Sequence, residues 1–226
     1  ALRETLVPFE TEMVDLMDKP ANFTDLYSAA LANERDRAKV PLVEVSEGGP
    51  ILVESLVIVE YLHDLAADSS SEKALNTMQK ANARLFTSLC QPKLGFINIL
   101  KAEADSEEEA KATEELRAGL REMDSYLQQH ADPSGPFFFG ESFSVLAEAV
   151  LSPFVQRLVT VLPGLRPKVN PLTLMEEDGL SRLATWTQAV VKRESCVSTI
   201  PPAEDLVTGY SKLLERMKQA PAPASR

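Results

Sequence analysis

Histidine, cysteine and tryptophan are scarce in this chain of 226 residues, at two, two and one respectively. Cys90 and Cys196 lie far apart, so no disulfide framework is expected to hold the fold, and a reducing setting such as the cytoplasm or an organelle stroma follows. Neither cysteine has closely spaced Cys or His partners, and His63 and His130 are equally isolated, which leaves no metal-ligand pattern. Basic residues are also in the minority: 23 Lys and Arg stand against 34 Asp and Glu, a net charge of −11 with no basic cluster. Nucleic acid and anionic membrane surfaces are therefore poor candidates for the main partner. No apolar run is long enough to span a bilayer, and the first residues carry no secretory pattern. What remains is an ordinary globular composition, 44% hydrophobic and 25% charged, in a chain long enough for one or two domains.

Lys39 to Leu65 is the stretch around which the rest is arranged. Pro41 cannot donate to a sheet ladder, so it belongs at the start of a strand or just before one. Leu42-Val43-Glu44-Val45 then alternates toward Gly48-Gly49, and Ile51-Leu52-Val53 follows, which together read as a β-hairpin. From Leu56 the apolar residues switch to helical spacing (Leu56, Val59, Leu62), making Ser55 an N-cap or first-turn residue. The unpaired N–H groups of such a helix start favour an anion.

Around that centre the chain opens on Ala1 to Leu6, which reads as the last turns of a helix, and Phe9 to Val14 alternates as a strand. After Asp64 a polar, small-residue stretch, 66–73, reads as a linker, and 74–226 looks entirely helical. Pro92 and Gly95 interrupt the first long helix there. Glu107 to His130 forms a helix with Glu108 and Glu109 near its start and a Leu116, Leu120, Met123, Leu127 stripe. The Pro- and Ala-rich Gln219 to Arg226 reads as a frayed tail. Cys90, beside Leu89 on an apolar helix with no base nearby in sequence, reads as a buried thiol rather than a nucleophile, and Trp186 as core.

Val40-Pro41, the hairpin and Glu54-Ser55 before an amphipathic helix resemble the glutathione-binding half of soluble glutathione transferases, with omega- and lambda-type members nearest in pattern. The resemblance implies a fold of α/β plus all-α class, with a thioredoxin-like domain over 1–65 and an all-helical domain over 74–226. It also implies glutathione as co-substrate, no metal, and a homodimer. By that resemblance Val40 and Pro41, the latter on a cis bond, meet the peptide part of glutathione. Glu54 faces its ammonium, Ser55 its γ-glutamyl carboxylate, and Lys19, in Asp18-Lys19-Pro20, the glycyl end; a solvated surface lysine is the alternative for Lys19. In that family the catalytic Ser, Tyr or Cys sits on a preceding strand and helix start, so residues upstream of Ala1, or another chain, are expected to supply it. The catalytic residue of this chain is left unassigned. The stretch Ala29 to Lys39 is longer than in typical members and lacks their Asn-Pro.

Phe137-Phe138-Phe139-Gly140 followed by Ser144 to Leu158 also resembles the family, whose Ser/Thr-x-x-Asp box caps a buried helix. The matching positions here are Val145 and Glu148, with Ser144 one residue early and expected to serve as a shifted cap. Phe86 and Leu89 are placed by position as walls of a hydrophobic substrate site. The expected activity is conjugation of glutathione to a small hydrophobic electrophile, or thiol exchange with a disulfide. The alternative is a non-catalytic binding or assembly module on the same fold.

Overall fold

A two-stranded antiparallel hairpin is the centre of the N-terminal part of the molecule. In the computed structural model, which describes residues 1–5, 7–31, 38–69 and 75–219, β1 (Leu42–Glu44) pairs with β2 (Ile51–Val53). The register sets Leu42 opposite Val53, Val43 opposite Leu52 and Glu44 opposite Ile51. The turn between them needs Gly48, whose φ of +68° lies in the left-handed region, and the Gly48 N–H donates to Glu44 Oε1 at 2.6 Å. Among the described residues three helices accompany the hairpin: α1 (Leu2–Thr5), α2 (Ala21–Leu31) and α3 (Ser55–Ser69). Phe23 and Tyr27, one turn apart on α2, are buried with Ala38 and Val53, and Val14, Ala30, Leu42 and Ile51 pack around them.

Two expectations fail here. Phe9 to Val14 forms no strand: Phe9 and Met13 are 44% and 88% exposed, and among the described residues no other strand lies alongside to supply a ladder. The α3 helix does not stop at Leu65 but runs on to Ser69, into the expected linker, because Ala66 and Ala67 are good helix formers. The rest of that linker, and residues 32–37 of the long stretch before Lys39, lie outside the described residues.

The chain divides into two units, Ala1–Asn76 and Thr77–Arg226, and the second is helical. It begins with α4 (Thr77–Cys90), which gives way to a 3-10 turn at Gln91–Leu94 because Pro92 has no N–H to continue the ladder. After Gly95 come α5 (Ile97–Lys101), α6 (Glu107–His130), α7 (Glu148–Leu165), α8 (Pro171–Glu177), α9 (Ser181–Lys192), α10 (Glu194–Val197) and α11 (Ala203–Gln219). The long α6 is capped by Ser106, whose Oγ accepts the Glu109 N–H at 3.1 Å, while Glu109 Oε2 accepts from Asp105 N at 2.9 Å. Its Leu116, Leu120, Met123 and Leu127 are at most 3% exposed, so the stripe seen in sequence is the core-facing side. Arg166, past the end of α7, holds the front of α6 through Glu109 Oε1 at 2.7 Å and caps the Leu100 and Ala102 carbonyls at 3.1 and 2.8 Å.

The last helix, α11, contributes no fully buried residue, yet it lies close along α7. A Cβ at Gly164 would stand 2.6 Å from Val207 Cγ2, so the missing side chain is what permits the approach. Tyr210 adds a ring stacked on Phe96, 5.6 Å between centroids. Gly164→Val is expected to lower the stability of the helical unit by roughly 1–3 kcal/mol through overpacking, and adding Val207→Ala to recover much of the loss, as read by urea denaturation. An undiminished penalty in the double variant would show that the contact is not the cause.

Candidate functional site

The hairpin register decides which candidate residues meet. With Leu42 opposite Val53, the next positions outward are Pro41 and Glu54, so Val40-Pro41 and Glu54-Ser55 arrive together at one end of the hairpin. The Val40–Pro41 bond is cis, and Val40 is 48% exposed. Glu54 has a φ of +67°, a conformation that costs a non-glycine residue on the order of 1 kcal/mol or more. That backbone turn redirects the chain from β2 into α3 within a single residue. The Glu54 carbonyl then accepts the Ile58 N–H at 3.0 Å, which makes Glu54 the residue from which the helix hangs. Glu54 and Ser55 are both exposed, as are Leu56 and Val57, so the first turn of a 15-residue helix presents its unpaired N–H groups at an open end. An acceptor carboxylate, a hydroxyl and helix-start donors thus share a few residues, an arrangement that suits a zwitterion.

Lys19 is half-buried in the coil that leads into α2. Phe86 and Leu89 do not form a shared wall. Phe86 is fully buried, with centroids 4.5 Å from Phe138 and 5.9 Å from Tyr126 in stacked pairs and the Trp186 ring edge-on at 5.7 Å. It is a core residue, and only Leu89, 41% exposed, keeps a surface. Helical periodicity marks an apolar face, but it does not separate core from cavity wall.

A polar centre that the sequence reading only touched lies under the Phe137 to Phe139 stretch. Glu148, fully buried at the start of α7, accepts the Phe138 N–H and the Trp186 Nε1–H on Oε1 at 2.7 and 3.0 Å, and the Ser144 N–H on Oε2 at 2.9 Å. Burial pushes this carboxyl above the ordinary carboxylate range, against the pull of its N–H donors. The expected shifted cap is not made: Ser144 Oγ is buried without a hydrogen-bond partner, because the chain turns once more, through Val145 to Ala147, before α7 begins. Asp124 of α6 caps α9 from outside, its Oδ1 accepting the Leu183 N–H at 2.8 Å. The Glu148 position carried a signal in sequence; the Trp186 and Asp124 partners, distant along the chain, carried none.

Both cysteines are buried, and burial pushes the Cys90 thiol up to about 12 despite Lys93 nearby. Among the described residues no group of three or more His, Cys, Asp or Glu could hold a metal ion, and no helix is long and apolar enough to cross a membrane. Cys90 and Cys196 are expected to resist a thiol-reactive probe such as 5,5′-dithiobis(2-nitrobenzoate) in the native protein and both to react in denaturant. Fast labelling of either in the native state would contradict their burial.

Comparison with known proteins matches the glutathione S-transferase N-terminal domain over residues 1–64 and its C-terminal domain over residues 107–189. The chain is 26% identical over 213 residues to a probable glutathione S-transferase DHAR2, chloroplastic, of Oryza sativa subsp. japonica, a match that covers 92% of this chain and 65% of that relative. Among solved structures it resembles glutathione transferase Omega 3C from Trametes versicolor, with a TM-score of 0.72, 22% identity, and 97% and 84% of the two chains covered. It also resembles rice GST1 in complex with glutathione, with a TM-score of 0.64, 22% identity, and 95% and 89% covered. These likenesses give the fold, a thioredoxin-like domain with a short sheet followed by an all-helical domain. With both of its domains matched, the chain belongs to the glutathione S-transferase family.

Proposed function

We propose that the chain binds glutathione at the end of its hairpin and uses the bound thiol on a small electrophile or disulfide. The observation that carries this is the exposed Glu54-Ser55 pair at the open start of α3, set beside Val40-Pro41 by the hairpin register. Support comes from the N-terminal family match, which spans all five proposed glutathione contacts, Lys19, Val40, Pro41, Glu54 and Ser55, and from the glutathione complex of the rice relative.

In this reading the Glu54 carboxylate holds the ligand's ammonium, and the Ser55 hydroxyl with the α3 N–H groups holds the γ-glutamyl carboxylate. The Val40 main chain pairs with the peptide part in the manner of an added strand, and Lys19 neutralises the glycyl carboxylate. Anchored at both ends, the cysteinyl thiol gives its proton to water, and the thiolate attacks an electrophilic carbon to form a thioether as the leaving group departs with the electron pair. With a disulfide, the same thiolate displaces one sulfur as a thiolate and leaves a mixed disulfide, which a second glutathione resolves. Cys90 and Cys196, both buried, take no part in the step in this reading.

Saturating glutathione is expected to raise the unfolding temperature, because a ligand that binds only the native state stabilises it. Glu54→Ala is expected to weaken glutathione binding about 10- to 100-fold by calorimetry, the cost of leaving a charged group unpaired. No thermal shift would remove the binding claim, and unchanged affinity in the variant would remove the site. Binding without turnover of either an activated aryl halide or a small disulfide would favour the non-catalytic module instead.

A further inference from the structure

Polar ties hold the helical unit together as far as α10, and there they stop. Arg117 and Arg121 of α6 bind Glu177 and Asp178 at the end of α8, at 2.5 to 2.7 Å. Asp124 of α6 accepts the Leu183 N–H of α9, and Gln156 of α7 donates to the Cys196 carbonyl of α10 at 3.0 Å. Arg166, past the end of α7, grips the Leu100 and Ala102 carbonyls. Among the described residues no side-chain hydrogen bond or ion pair joins α11 to another element; its one side-chain bond is internal, from Ser211 Oγ to the Val207 carbonyl at 3.0 Å.

The packing of α11 is one-sided as well. Leu206, Val207, Tyr210 and Leu214, spaced as one helix face, are half-buried, whereas Leu213 and Met217 remain 42% and 39% exposed. Two contacts seat the helix: the Tyr210 ring on buried Phe96, and Val207 against the bare backbone of Gly164. The main chain does not brace it from α10 either. The Thr199 and Ile200 N–H groups bond back to the Cys196 carbonyl, Pro201 and Pro202 have no N–H, and the first turn of α11 starts afresh on the Pro202 carbonyl.

We propose that α11 is a strap that opens as one piece about Pro201-Pro202 while α4 to α10 stay folded. Opening lifts Val207 off Gly164 and Tyr210 off Phe96, and so bares the Phe96 ring and the side of α7 that α11 covers. None of the polar ties between the other helices is broken by the event. Elements held by partly buried apolar contacts alone lie at the low-stability end of a fold, and releasing one exposes far less surface than unfolding the unit.

Residue-resolved hydrogen exchange of the full-length protein in low urea tests this. The amides from Val207 to Leu214 are expected to exchange at a common rate, about 100-fold faster than those of α7 around Leu158 and with a shallower dependence on urea. A gradient of rates rising toward Gln219 would mean fraying and would overturn the strap, as would α11 amides that match α7 in rate or in urea dependence. Gly164→Cys combined with Val207→Cys supplies a lock. A Cβ at Gly164 lies 3.8 Å from Val207 Cβ, within the usual span of a disulfide, and the second change removes the methyl carbon that would crowd it at 2.6 Å. Closing that disulfide with diamide is expected to narrow the difference between α11 and α7 to less than about tenfold, and dithiothreitol to restore it. A difference unchanged by closure overturns the inference. Where the cysteine pair does not fold or close, Val190→Ala decides, because fully buried Val190 of α9 stays packed when α11 opens. It is expected to speed exchange in α7 and not in α11; equal speeding of both would show that α11 opens only with the whole unit.

Discussion

Sealing a carboxyl group away from water is costly unless donors are brought to it, and in this molecule the donors come from separate places along the chain. Phe138 and Ser144 precede the helix that bears Glu148, and Trp186 belongs to another helix altogether. Satisfying Glu148 therefore fixes a stretch without regular structure, the entrance of α7 and the face of α9 in one step. The aromatic packing follows from that placement. Once Phe138 is held by its N–H, its ring lies against Phe86, and Phe86 in turn meets Trp186 edge-on and Tyr126 face-on. Removing any one donor would leave a buried acceptor short, which costs more than the loss of one average hydrogen bond.

The N-terminal unit depends on a slighter constraint. Its hairpin contributes three residues per strand, and its buried cluster is Phe23, Tyr27, Ala38 and Val53. Such a small sheet is marginal alone and needs α2 against it. Its contribution is positional: a single register brings two dipeptides, distant in sequence, to the same end, and a left-handed residue between strand and helix turns α3 to open beside them.

What could be read from the sequence was what is decided locally. Gly48-Gly49 and the change of period after Ser55 mark the hairpin and α3 within a few residues, and Glu108 with Glu109 marks the start of α6 in the same way. What could not be read depends on partners elsewhere. Phe9 to Val14 alternates as a strand would, but alternation does not supply a ladder. Phe86 lies on an apolar face, and only the rings of Tyr126, Phe138 and Trp186 make that face interior. Ser144 carries the right side chain for a cap one turn too early, so the Glu148 carboxylate takes its main-chain N–H while its hydroxyl goes unused. Of the proposed glutathione contacts, Ser55 had a local pattern in helix-start chemistry and Pro41 in its missing donor, while Glu54 came from the resemblance. Lys19 had no local pattern beyond its resemblance.

The lone indole has an optical consequence. Trp186 is completely buried within the helical unit, and the aromatic residues of the N-terminal unit are Phe and Tyr alone. Emission excited at the red edge of the protein absorption band therefore reports on the helical unit only. A melting curve followed in that way would pass over any separate loss of the hairpin and its helices, and a sample could look native by its fluorescence while the part proposed to bind glutathione had already unfolded.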